Sequence, residues 1–401
     1  MSKGLFFKDI YINKMNNFNF NTTPEIIFEK GASINSCEKI IDKLGDSILL
    51  ITDADLTKIG LNNNIINVLS KSSSLEVFDD VESDPSKKTL VKALDMAKTF
   101  KPTGILGFGG GSSMDIAKLV SLLLGTEQDI ENIWGVGNAK GPRLPLVLVP
   151  TTAGTGSEVT PISIITQDDD QKKGVSSSII LPDLAVLDPE LTLGLPKDIT
   201  AATGIDAMVH AIEAYTSINH NNNPISKILA IESLKLLGSS IENAVFDGQN
   251  VEARSNMLLG SMMAGQAFAN SPVSAVHALA YPIGGIFHIS HGLSNSLVLP
   301  HVLKFNSNNA KACEQYAFLA PFIFKDINLN TNTETICNDF IVKLENLSSL
   351  LNIPTKLREL DIPKEACDKM AKESMKQTRL LVNNPREVTE EDAFNIYSAA
   401  W

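Results

Sequence analysis

All six histidines of this 401-residue chain, His210, His220, His277, His288, His291 and His301, fall between positions 210 and 301. Asp206 and His210 stand four apart in GIDAMVHAIEAY, which places both on one face of a helix about a turn apart. Further on, HALAYPIGGIFHISHG (277–292) holds three histidines in a mostly apolar setting. His277 and His291 bracket its Gly-Gly pair, so two helical stretches can present them to a common point. Three imidazoles with one carboxylate form a mixed nitrogen and oxygen set that suits zinc, ferrous iron, cobalt, nickel or manganese. The ligand types alone do not name the metal.

A second kind of chemistry lies upstream. Gly109-Gly110-Gly111-Ser112 sits between an apolar strand and a helix, where bare backbone N–H groups and a helix N-terminus suit a phosphate. Thr151-Thr152-Ala153-Gly154-Thr155-Gly156-Ser157 follows another strand and adds hydroxyl donors. A single glycine loop is as readily a tight turn; two of them in one α/β half point to a nucleotide. The usual GxGxxG with a later acid is missing. Asp53 instead lies at a strand end before the glycines, where its carboxylate would accept from a ribose diol and repel a 2′-phosphate, favouring NAD over NADP.

The elements that must carry these residues alternate in the first half. SILLITDAD (47–55), SLEVFDDV (74–81), GILGFGGG (104–111) and PLVLVPTTAGTGSE (145–158) read as strands running into loops, with helical VKALDMAKTF (91–100) and SMDIAKLVSLLL (113–124) between them. This predicts βαβ units and a Rossmann-like parallel sheet. LNNNIINVLSKSSS (61–74) reads as surface helix and loop. After about residue 196 the texture turns to long helical segments, with Pro196 and Asp198 at the start of the first. The expected architecture is therefore an α/β dinucleotide-binding domain over 1–196 and an all-α metal-binding, catalytic domain over 197–401.

Composition narrows the function classes. Lys and Arg number 34 against 46 Asp and Glu, a net charge of −12, and no long basic run offsets it. Nucleic-acid affinity depends on basic patches that release counterions, so such a partner is not expected. Four cysteines, Cys37, Cys313, Cys337 and Cys367, show no CxxC spacing, which argues for reduced thiols over disulfides or cysteine-bound zinc. The first residues lack a signal-peptide core, and no apolar run reaches membrane-spanning length. The expectation is a soluble cytoplasmic protein without a membrane partner.

Taken together the segments GGGSSMDIAK (109–118), PTTAGTGSEVTP (150–161), GIDAMVHAIEAY (204–215), HALAYPIGG (277–285), HISHGLSNS (288–296) and NPREVTEEDAFNIY (384–397) resemble the iron-containing (group III) alcohol dehydrogenases, in the right order along nearly the whole chain. The resemblance implies a dehydroquinate-synthase-like fold, a homodimer, and hydride transfer between an alcohol and a nicotinamide. It implies Asp206, His210, His277 and His291 as ligands of one divalent metal, ferrous iron before zinc. It implies Asp53, Gly109, Gly110, Gly111, Ser112, Asp115, Thr151, Thr152, Ser157 and Lys173 as cofactor contacts, with NAD preferred over NADP. Many members carry a proton-relaying histidine four residues after the third ligand, where this chain has Tyr281. The resemblance therefore leaves the relay to Tyr281, to His288, to the cofactor ribose or to water. Ser113 stands where a proline is common. Arginines are few, and none is adjacent to a ligand in sequence, which favours neutral small alcohols, diols and aldehydes as substrates. Other readings on the same fold are a polyol dehydrogenase, a maleylacetate-reductase-like enzyme, a hydroxyacid–oxoacid transhydrogenase, or a non-catalytic metal- or nucleotide-binding relative.

Overall fold

The computed structural model describes residues 17–126, 128–168 and 171–401. Positions 1–16, most of the stretch inspected for a leader, lie outside the described residues. By internal packing the chain divides into two units, one formed by Asn21–Leu195 with Gly248–Met262 and the other by Pro196–Asp247 with Met263–Trp401. Segment 248–262 therefore groups with the α/β half, which a reading of contiguous segments did not anticipate.

The first unit is built on a six-stranded, all-parallel sheet of β1 (Ile26–Phe28), β2 (Ser47–Ile51), β3 (Ser74–Phe78), β4 (Gly104–Gly109), β6 (Leu146–Pro150) and β9 (Leu184–Leu187). The spatial order is β1-β9-β6-β4-β2-β3. Strand residues alternate between two apolar cores. Leu49, Ile51, Ile105 and Leu148 face one side, where α5 (Lys87–Phe100) and α6 (Gly111–Gly125) cover them. Ile48, Leu50, Leu106 and Val147 face the other, packed by α2 (Cys37–Leu44) and α4 (Asn63–Leu69), which follow α1 (Ala32–Asn35) and α3 (Ala54–Ile59) respectively. Burial on both faces is why these strands read as unbroken apolar runs.

Gly107 lets helix and sheet meet. A methyl group there would fall 2.6 Å from Leu148 Cδ2 and 2.8 Å from Ala117 Cβ. A smaller sheet, β5 (Gly135–Val136), β8 (Lys172–Ser176) and β7 (Ile162–Thr166), was not foreseen in the sequence. Its β7–β8 pair is antiparallel and alternates in burial, a weaker signal than the fully buried strands of the main sheet.

The second unit is helical. Its helices are α7 (Lys197–Thr216), α8 (Pro224–Phe246), the carboxyl-terminal part of α9 (Val251–Asn270), α10 (Ala275–Phe287), α11 (His291–Asn306), α12 (Ala310–Ile323), α13 (Thr333–Leu350), α14 (Ala366–Ser374), α15 (Thr378–Leu381) and α16 (Glu390–Ala400). Helix α7 is its centre: from Gly204 to Thr216 every residue is buried. It packs against α8 and α11, and α10 packs against α11. A helix apolar all round is a helix inside a core, so the polar side chains it does carry must find partners there. No helix among the described residues is long and apolar enough to cross a membrane.

Candidate metal centre and nucleotide loops

Asp206, His210 and Glu213 occupy positions i, i+4 and i+7 of α7 and so line one stripe of a buried helix. His277 sits in the first turn of α10, and His291 opens α11. The ligand atoms of Asp206, His210, His277 and His291 all lie within 4.8 Å of one another. His277 Nε2 stands 4.0 Å and His291 Nε2 3.7 Å from Asp206 Oδ1. One carboxylate oxygen and three imidazole nitrogens gathered this closely are a donor set that suits a single divalent cation. Asp206, His210 and His277 are buried, while the His291 side chain keeps 28% of its exposure and leaves the cluster an open side.

Neighbouring groups orient the donors. His277 Nδ1 donates to Glu213 Oε2 at 2.7 Å, which turns the lone pair of Nε2 toward the cluster. The other Glu213 oxygen accepts from Ser274 Oγ at 2.8 Å and from the Val276 N–H at 2.7 Å, so this carboxylate also caps the start of α10. Burial by itself would raise the Glu213 carboxyl. The bond from His277 and the Ser274 donors outweigh burial and bring it below its ordinary value. The His210 ring stacks between Phe268, at 4.3 Å, and His277, at 4.7 Å. Asn295, one turn into α11, is fully buried; its Nδ2 donates to Asp206 Oδ1 at 2.6 Å and lies 3.4 and 3.3 Å from Nε2 of His277 and of His291. Its Oδ1 is buried without a partner. An amide aimed at three of the four donors, with its oxygen orphaned, marks a point built to receive a polar or charged guest.

Tyr281 lies one turn beyond His277 on α10, half-buried, with its ring 6.0 Å from that of His291. His288 ends the same helix in left-handed backbone (φ 56°) and is exposed, and no contact of its ring with the cluster is seen among the described residues. His220 and His301 lie outside the cluster.

In the first unit, β2, β4 and β6 are neighbours in a parallel sheet, so the loops after them leave the same edge side by side. This is where open α/β sheets bind ligands. Asp53 caps α3 through Oδ1, which accepts from the Leu56 N–H at 2.9 Å. Burial raises its carboxyl, and the Leu56 bond draws it partly back. Gly109 adopts φ 150°, and a Cβ there would meet Ser113 Oγ at 2.7 Å and Asp53 Oδ2 at 3.4 Å. Gly110 caps α6, whose first turn carries no acid, leaving the helix dipole free to favour an anion. The two loops touch: the Thr151 N–H donates to Gly109 O at 3.0 Å, and a methyl on Gly111 would strike Thr155 Cγ2 at 2.8 Å. Thr152 faces Gly110. Ser112 Oγ accepts from the Asp84 N–H.

Asp115 and Ser157 are engaged inside the protein. The Asp115 carboxylate accepts from Ser157 Oγ at 2.7 Å and from the Ile164 N–H at 2.8 Å. Fully buried Lys118 donates to Ser157 Oγ and to Ile162 O, both at 2.7 Å. Asp115 thus ties α6 to the second loop from within, a role for which its sequence position gave no sign. Lys173 is exposed on β8, outside the two loops. Glu213, Asn295 and Lys118 went unread in the sequence. The first two carry a signal, since each continues a ligand's helical stripe, at i+3 from His210 and i+4 from His291.

The chain thus carries a parallel sheet of nucleotide-binding type and a helical unit that gathers one carboxylate and three imidazoles. Comparison with known proteins gives the family. The sequence pattern of "iron-containing alcohol dehydrogenase" matches residues 23–189, and that of "Fe-containing alcohol dehydrogenase family, C-terminal" matches residues 200–401. Long-chain-alcohol dehydrogenase 1 of Geobacillus thermodenitrificans is 38% identical over 88% of this chain and 89% of its own length. The sulfoacetaldehyde reductase of Bilophila wadsworthia is 32% identical over 94% and 97%. A solved 1,3-propanediol oxidoreductase superposes with a TM-score of 0.91 at 31% identity, covering 96% of this chain and all of that one. The chain belongs to the iron-containing alcohol dehydrogenase family, and it is an oxidoreductase.

Proposed function

We propose that this protein is a metal-dependent, NAD(H)-linked alcohol dehydrogenase and aldehyde reductase acting on small primary alcohols or diols. The observation that carries the reading is the convergence of Asp206, His210, His277 and His291 within 4.8 Å, with Glu213 and Asn295 setting their orientation. A divalent cation held there supplies Lewis acidity toward an alcohol or carbonyl oxygen, and a nicotinamide supplies or accepts hydride. The chain's own part is positioning and charge. Gly109 to Gly111 and the α6 N-terminus receive the pyrophosphate, and Asp53 Oδ2, left over from capping, takes the ribose diol. Tyr281 stands beside the cluster, where its hydroxyl can pass a proton to or from an oxygen held among the donors. Exposed His288 is the weaker candidate for that step.

The test is loading of anaerobically purified protein with ferrous iron or zinc, followed by NADH consumption with aldehydes from acetaldehyde to 3-hydroxypropanal and succinic semialdehyde. Metal-dependent turnover, with NADH well ahead of NADPH, is the expected result. His277→Ala should lose bound metal and turnover together; turnover persisting in that variant without metal would defeat the scheme.

A further inference from the structure

No arginine is adjacent to a ligand in sequence, but folding brings one of them to Tyr281, four residues past His277. Arg379, on α15, donates from Nη2 to the Tyr281 hydroxyl at 3.3 Å. Tyr281 in turn lies 6.0 Å, ring to ring, from the candidate ligand His291. Both arginine and tyrosine belong to the unit that holds the four donors. We propose that Arg379 is a specificity-determining residue whose guanidinium binds an anionic group at the far end of the substrate, so that the preferred aldehyde is a short chain ending in a carboxylate or sulfonate.

Arg379 differs from the other arginines in what it contacts. Arg143 forms a forked pair with Asp183 and reaches three carbonyls; Arg254 donates to the carbonyls of Gly248 and Leu195. Arg386 donates to Phe305 O and stacks on that ring at 3.8 Å, and Arg358 lies over Trp401. Arg379 meets only a neutral phenol, at long range, and no carboxylate pairs with it among the described residues. A guanidinium has five N–H donors in a planar fork, and one bond to a phenol leaves a full edge for a carboxylate or sulfonate.

The position of Arg379 is also fixed, although its side chain is exposed. Its carbonyl accepts from Asn383 Nδ2 at 3.0 Å, and the same amide donates to Val273 O at 3.0 Å, directly before the Ser274 that binds Glu213. The next residue, Leu380, is buried. The arginine is thereby tethered to the start of the helix that presents His277. Tyr281 lies four residues past His277, about 6 Å along the helix axis, which keeps the proposed anion site within a short chain's reach of the four donors.

The inference rests on the four donors being the reaction centre, and its test separates the two. In metal-loaded wild-type protein, kcat/KM for succinic semialdehyde or sulfoacetaldehyde should exceed that for butanal or propanal by about tenfold or more, mostly through KM. Arg379→Gln should collapse that ratio toward one with metal content and thermal midpoint unchanged, and Arg379→Lys should retain part of it. Calorimetry supplies a readout without turnover: 4-hydroxybutyrate should bind wild-type protein at least tenfold more tightly than 1-butanol, and Arg379→Gln should erase the difference. Preserved anion-selective binding in a protein that turns over no aldehyde would support this inference while defeating the catalytic reading. Equal binding of acid and alcohol by wild-type protein, or an unchanged ratio in Arg379→Gln, would overturn it. A stronger response to one of the two anionic aldehydes would tell carboxylate from sulfonate.

Discussion

At the scale of single residues, Glu213 does two things with one carboxylate, holding the His277 ring and capping the helix that carries it. Loss of a carboxylate behind a metal-binding histidine commonly lowers metal affinity 10- to 100-fold. Glu213→Gln should weaken binding by about that amount in a chelator competition, with far-ultraviolet circular dichroism unchanged; full affinity would show that α10 alone orients His277. Glu158 tests the nucleotide unit. It is fully buried with Oε1 unpartnered, and burial pushes its carboxyl up to about 7 from an ordinary 4.5. Between those values the folded chain holds a proton that the unfolded chain has released, so stability from this group falls as pH rises through the window and levels off above it. Glu158→Gln lacks that dependence, and its urea midpoint relative to wild type should climb from pH 4.5 to 7; a flat difference would show that Lys118 compensates the charge. The four donors were legible because histidine and aspartate at helical spacings are conspicuous. Arg379 was not legible, because it lies 98 positions from Tyr281 and only packing of α15 against α10 joins them.

Elements were the most legible level. Strands buried on both faces leave long apolar runs, so β2, β4 and β6 were read at starts within one residue of those observed, whereas edge strand β3 has exposed Ser74 and Glu76. The antiparallel β7–β8 pair was missed, since its alternating burial places glycine and lysine in the strand. The glycines of GILGFGGG served two different purposes that sequence did not separate. Gly109 to Gly111 shape the loop, whereas Gly107 admits Ala117 and Leu148 to the same space. Gly107→Ala should therefore destabilise the first unit by about 1–3 kcal/mol through overpacking, read from denaturant unfolding. A neutral result would mean that α6 can move off the sheet without loss.

At the scale of the whole molecule, metal binding and folding are linked. A cation present at a hundredfold excess over its Kd adds about 2.7 kcal/mol to the state that binds it. For a unit of this size that corresponds to a rise of about 5–10 °C in thermal midpoint. Chelation should reverse the rise, and Asp206→Ala should abolish the difference between loaded and stripped protein; a midpoint indifferent to metal in wild type would argue against the cluster as a metal site. That 248–262 groups with the first unit could not be read from the sequence, because periodicity records a helix and not its neighbours. The bonds from Glu213 and Asn295 that hold the donors come from the protein itself. The socket is therefore shaped by the fold around it. A socket of that kind keeps no memory of its intended occupant: since zinc outranks ferrous iron for such donors, the ion found in any sample records the growth medium and the exposure to air as much as the amino-acid sequence.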